Sequence, residues 1–268
     1  CRETTAWMQE VEQRLVPELL RAAGYATGLV GKWNIVRAAE RVFDEVHDFV
    51  EWESDYFPQE DGRYIGSNAT KSPGFASSKT QYWGPKRETD EYLTDRMGEE
   101  AVRFIAGHGD KPFFLYFAQF AVHTPVQGKP ELAEKYRAKI HLGQAQSNAV
   151  YAAMIESLDD SVGRIRCTLE ELKLSDRTII IFNSDNGGRV PTTSNRPLRV
   201  GKGSCYEGGT RVPLIVHWPG VTKPGSVCDT PVIGVDVHPT ILEMCGLGVP
   251  ASAGGASREE TPKLDGLS

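Results

Sequence analysis

The run KPFFLYFA, residues 111–118, admits few structural answers. It is too short for a helix of its own, and its unbroken apolar character behind Pro112 matches a strand buried on both faces. RTIIIFNSDNGG repeats the pattern as a second buried strand ending in a turn, and RVPLIVHWPG predicts a third. In GYATGLVGKWN (24–34), Thr27, Leu29 and Val30 add a short β-prone stretch, freed at its end by Gly31.

The segments between these runs carry helical spacing. Residues 7–23 place apolar side chains at 8, 11, 15, 19 and 20, with Pro17 restarting the helix and Gly24 capping it. From Thr89 a capped helix lines up Leu93, Met97, Ala101 and Phe104, and QSNAVYAAMIESLDDSVGRIRCTLEELKL lines up Ile155, Leu158, Val162, Ile165 and Leu169. VDVHPTILEMCGL closes the series. Strands alternating with helices of this length predict an α/β fold, a mostly parallel central sheet flanked by helices on both faces. Residues 1–268 read as part of a single domain, interrupted at 51–88 by a loop-rich excursion without sustained period.

The formal net charge of -6 argues against a broad nucleic-acid surface. No stretch approaches eighteen continuous apolar residues, so no membrane span is expected. The five cysteines, at 1, 167, 205, 228 and 245, form no C-x-x-C pair and indicate no zinc site.

Chemistry-bearing residues gather just beyond the strands. Lys32 stands at the exit of the first, where open α/β sheets collect ligands. His123 follows the second in FAVHTP, an acid or base for neutral pH. Asp185 and Asn186 follow TIIIF and offer two hard oxygens suited to Ca²⁺ or Mg²⁺, although Asn-Gly is equally a turn signal. Lys202 lies between two glycines, where backbone approaches ligand closely. Two cations, a metal ion and a histidine around one point make a receptor for a tetrahedral oxyanion, which points to sulfate or phosphate ester hydrolysis.

The chain resembles the sulfatase family of the alkaline phosphatase-like superfamily. GYATGLVGKW, KPFFLYFAQFAVHTP, YAAMIESLDDSVGRI, SDNGG, LRVGKGSCYEGGTRVPLIVHWPG and VDVHPTILEMCGL carry the resemblance, in the family's order, over roughly residues 15–247. It implies sulfate-ester hydrolysis at a divalent cation, usually Ca²⁺, in an extracytoplasmic setting, on a sulfated small molecule or glycan. Asp185 and Asn186 would hold the metal, Lys32 and Lys202 the sulfate, and His123 would serve the leaving group.

Two departures from the family pattern bear on turnover. The family's G-K-W-H ends here in Asn34, which hydrogen-bonds but exchanges no proton near neutral pH. The family's formylglycine nucleophile arises from the Cys or Ser of a C-x-P-S-R-like motif, and none of the five cysteines is followed by it. The resemblance also implies a chain lacking the family's N-terminal strand, with its metal-binding aspartates, and its C-terminal small sheet. Such a chain is expected to be inactive by itself. Asp159 and Asp160 mimic that aspartate pair but fall mid-helix and read as structural. The alternatives are a non-catalytic anion- or glycan-binding relative and a phosphodiester or phosphonate hydrolase of the same superfamily.

Overall fold

In the computed structural model, residues 14–33, 38–50, 54–58 and 91–247 are described. In chain order these form α1 (Val16–Ala22), β1 (Ala26–Lys32), α2 (Ala39–Val42), β2 (Glu45–Val50), α3 (Leu93–Gly107), β3 (Phe113–Ala118), α4 (Pro130–Arg137), α5 (Ala149–Glu171), β4 (Ile180–Asn183), α6 (Glu207–Thr210), β5 (Leu214–His217) and α7 (Val237–Met244). Most of the 51–88 excursion, the first part of the predicted N-terminal helix and Asn34 lie outside the described residues.

β1 is the axis of the fold. It pairs in parallel with β2 on one side and β3 on the other, giving the order β2–β1–β3. Strand alternation sends Leu29 and Val30, both fully buried, to opposite faces. Val30 packs with Met97, Phe120 and Met154 beneath α3 and α5, whereas Leu29 packs with Val42, Phe43 and Trp33 beside α2. Full burial of side chains this size stabilises by about 1.5–3 kcal/mol each. A three-stranded parallel sheet with helices over both faces is thus the observed core.

The predicted face of α3 is borne out, since Leu93, Met97, Ala101 and Phe104 are all buried. Its Arg96 is fully buried too and meets Asp48 of β2, Nε to Oδ2 at 2.9 Å, with Glu91 at 3.5 Å from its Nη1.

Helix α5 forms as predicted, capped by Asn148, whose Oδ1 accepts from the Tyr151 amide. Its buried face matches the predicted stripe only in part: Leu169 is buried with Ile165 packed beside it, but the N-terminal half buries a different side. Ala153, Met154, Ser157 and Ser161 are buried while Ile155 is 47% exposed. The cause is close approach to α3. A Cβ on Gly98 would sit 2.9 Å from Ser161 Oγ, and that hydroxyl donates to the Thr94 carbonyl across the interface and to Ser157 within α5. Asp159 and Asp160 are exposed mid-helix, in keeping with a structural reading.

The apolar runs are less buried than predicted. β3 is half-buried and Tyr116 is 45% exposed. β4 pairs with β5 antiparallel, as a two-stranded sheet separate from the parallel one, leaving Leu214 and Ile215 exposed. Ile180 at the start of β4 still reaches the cluster of Phe104, Ile105, Leu169 and Leu174 that closes one end of α3 and α5.

Candidate active site

At the carboxyl end of β1 the backbone kinks. Gly31 takes φ of +103°, and a Cβ there would come within 2.2 Å of the Ala118 carbonyl, so only glycine lets β1 and β3 approach this closely. The pairing with β2 shifts register between Val30 and Lys32. Lys32, the last residue of β1, is thereby directed toward the segment following β3, and its Nζ lies 5.9 Å from the centre of the Phe120 ring. The His123 imidazole lies 5.2 Å from the same ring. Phe120 is therefore the platform shared by Lys32 and His123.

His123 is held in one protonation geometry. Its Nδ1 is 2.8 Å from the Thr124 carbonyl, which only accepts, so Nδ1 carries the proton of the neutral ring and Nε2 the lone pair. Its own carbonyl accepts from the Tyr56 hydroxyl at 2.9 Å, a hydroxyl also 3.1 Å from the Phe120 carbonyl. Tyr56 is fully buried, its ring beside Tyr92 and Phe120. Gln127 accepts from the Tyr56 amide, and the Tyr92 hydroxyl donates to the Gln127 carbonyl. Burial above all, then the neighbouring Tyr92, pushes the Tyr56 hydroxyl well above its ordinary pKa; burial likewise raises Tyr92.

Asp185, Asn186 and Lys202 form a second group built by backbone contact between two loops. The Gly187 amide donates to Gly209, and the Lys202 amide donates to Gly188 at 3.1 Å. A Cβ on Gly187 would stand 1.8 Å from the Gly208 carbonyl. The SDNGG and GKGSCYEGG stretches thus interlock only because glycines line their junction. Asn186 commits Nδ2 to the Gly187 carbonyl, which leaves Oδ1 as the acceptor.

The structure brings the sequence-predicted residues together as two sets. Lys32 and His123 share Phe120, and Asp185, Asn186 and Lys202 share the loop junction. Tyr116 borders the second set. Its ring is 6.2 Å from that of Trp33, next to Lys32, and its hydroxyl pKa is raised first by burial and then by the charge of Asp185. Asn34 is not among the described residues. Among those residues no group of three or more His, Cys, Asp or Glu side chains is arranged to hold a metal ion. Asp185 and Asn186 supply two oxygens where Ca²⁺ takes about six to eight, so the described donors do not complete a cation site.

Sequence reasoning missed Phe120, Tyr56 and Asn195. Phe120 was visible three residues before His123. Tyr56 lies far away in the chain, and no local spacing marks it. Asn195 is the hub of the loop carrying Lys202: its Oδ1 accepts from the Gly188 amide and its Nδ2 donates to the Gly188 and Val200 carbonyls.

The family model described as Sulfatase matches residues 3–247. A sulfatase of Formosa agariphila is 40% identical over 174 residues, covering 61% of this chain and 32% of that protein. The N-acetylgalactosamine-6-sulfatase of Sus scrofa is 33% identical over 264 residues, covering 89% of this chain and 46% of that one. Among solved structures, Ps i-CgsB in complex with k-i-k-neocarrahexaose superimposes with a TM-score of 0.72 at 30% identity, covering 88% of this chain and 54% of that chain. The chain thus spans a third to just under half the length of these two curated relatives.

Proposed function

The chain belongs to the sulfatase family, and from that premise we propose that its loops bind the sulfate group of a sulfated glycan for hydrolysis of the ester. The observation that supports this most is the pairing of Lys32 and His123 across Phe120, with the His123 ring locked through Nδ1. In this reading the ammonium groups of Lys32 and Lys202 neutralise non-bridging sulfate oxygens. His123, with Nδ1–H held by the Thr124 carbonyl and a second proton taken up at Nε2, donates that proton as an imidazolium to the bridging oxygen. Water takes the sulfuryl group, so that the sulfur–oxygen bond breaks, the glycan leaves as a neutral alcohol and sulfate is released.

Asp185 and Asn186 are assigned as two of the oxygen ligands of a Ca²⁺ (or Mg²⁺) ion. That ion would supply charge for the sulfate oxygens, and among the described residues no further His, Cys, Asp or Glu joins these two to hold it. The formylglycine of the family has no precursor motif at any cysteine of this sequence, so binding is the property to test. The glycan assignment follows from the relatives named for N-acetylgalactosamine 6-sulfate and bound to an oligosaccharide. With such substrates goes an extracytoplasmic setting, which we assign as part of the same reading. Among the described residues no helix is long and apolar enough to cross a membrane.

The test is thermal unfolding with inorganic sulfate. At ten times its dissociation constant sulfate stabilises the native state by about 1.4 kcal/mol, a rise of roughly 3–6 °C for a chain of this size. Lys202→Ala is expected to abolish the rise at equal ionic strength. A rise of the same size in Lys202→Ala, or none in the parent, would refute the site.

A further inference from the structure

The stretch from Asp185 to Arg211 inverts the charge of the rest of the molecule. It carries Arg189, Arg196, Arg199, Lys202 and Arg211 against two carboxylates, Asp185 and Glu207, in a chain of net charge -6. Arg211 is matched by Glu207 at 3.4 Å. Among the described residues, Arg189, Arg196, Arg199 and Lys202 make no ion pair, and all four are exposed.

These four cations are carried on a braced loop rather than strung along a free one. Asn195 ties Gly188 to Val200 through three hydrogen bonds, which brings Arg189, Arg196 and Arg199 around one hub. The Lys202 amide joins the same Gly188 carbonyl, and the Gly208 amide donates to the Arg199 carbonyl. The loop is also fastened to the start of α5. Thr193 Oγ1 donates to the Gln146 side chain, and Asn148 Nδ2 donates to the Thr192 carbonyl. The Arg199 guanidinium is stacked 3.8 Å from the centre of the Tyr206 ring, which pre-orders it.

Unpaired like charges carried on one braced loop raise the local positive potential, which is complementary to an anionic partner. The guanidinium fork matches tetrahedral oxyanions in two parallel hydrogen bonds, which suits sulfate groups borne at intervals on a polymer. We propose that residues 188–211 form a polyanion-binding rim, on which Arg189, Arg196 and Arg199 seat sulfate groups neighbouring the one held at Lys202. This rests on the sulfate-ester reading above and adds to it a preference for polysulfated polysaccharide over isolated monosulfates.

The test compares binding of sulfated dextran, unsulfated dextran and single-stranded DNA, titrated with salt, to the parent and to the triple variant Arg189→Ala/Arg196→Ala/Arg199→Ala. Each polymer-neutralised cation contributes roughly one unit to the slope of log affinity on log salt. The triple variant is therefore expected to bind sulfated dextran at least tenfold more weakly, with a slope shallower by about two to three. The matching arginine-to-lysine triple keeps the charge but loses the fork, and is expected to keep the parent's salt slope within about one unit while binding more weakly, which separates lost charge from a loosened loop. Affinity of the alanine triple within twofold of the parent would overturn the rim, as would tighter binding of DNA than of sulfated dextran. Inorganic sulfate is the independent arm. If it fails to stabilise the parent while sulfated dextran binding still depends on the three arginines, the rim stands and the sulfate-ester site falls.

Discussion

Replacing Tyr56 by Phe isolates one hydroxyl that holds the His123 segment. The ring keeps its contacts with Tyr92 and Phe120, so no cavity opens, and only the hydrogen bond shared by the Phe120 and His123 carbonyls is lost. A buried hydrogen bond of this kind, together with acceptors left unsatisfied, costs about 2 kcal/mol at pH 8. That corresponds to a fall in Tm of roughly 4–8 °C.

The cost depends on pH in a direction fixed by linkage. The Tyr56 pKa is raised in the folded state, from an ordinary value of 10.0, mainly by burial. Its contribution is complete below pH 10 and is lost as pH rises toward the folded value, because only the unfolded chain releases the proton. At pH 11 the unfolded parent gains about 1.4 kcal/mol from that ionisation, which the Phe variant cannot gain. The penalty of Tyr56→Phe should therefore shrink from about 2 to about 0.6 kcal/mol between pH 8 and pH 11. Urea unfolding at both pH values measures it, and Tyr92 is common to both proteins and cancels. A penalty below 0.5 kcal/mol at pH 8, or one unchanged at pH 11, would show that the hydroxyl does not hold this segment.

Two further outcomes follow from the geometry. Asp48→Ala removes a carboxylate partner from the fully buried Arg96 guanidinium and is expected to cost about 3–5 kcal/mol in denaturant unfolding; the double replacement Asp48→Ala/Arg96→Met should recover much of it, and additive losses would refute the pairing. Calorimetric titration of the parent with Ca²⁺ should give millimolar affinity or none, since Asp185 and Asn186 supply only two oxygens; a sub-micromolar constant abolished by Asp185→Ala would show a complete site.

What was legible in the residues follows a physical divide. The strands β1 and β3 and the buried face of α3 were readable because period and composition are local properties. The antiparallel pairing of β4 with β5 was not, because an apolar run looks the same whichever neighbour it meets. The α5 stripe held at Leu169 and misled at Ile155, because Gly98 and Ser161 set the neighbouring interface by closeness. In the site, Lys32, His123, Asp185, Asn186 and Lys202 were each visible beside a strand end or a glycine. Their grouping into two sets was not, since it depends on Phe120 and on the contact of Gly187 with Gly209, neither of which spacing reveals.

The strand order also dictates how the chain must assemble itself. Twelve residues separate Lys32 from Glu45, whereas sixty-two separate Val50 from Phe113. Loop-closure entropy makes the second junction dearer by up to about 1.5 kcal/mol, before α3 shortens the search. β1 and β2 should therefore meet early, and β3 should join late, as a contact of high sequence separation. Until it does, the central strand displays one naked edge, and Lys32 and His123 have no common ring to share. Chain connectivity thus makes β3, on the Phe120 side of this sheet, the last of its three strands to join, and leaves the edge of β1 in need of protection on a ribosome until then.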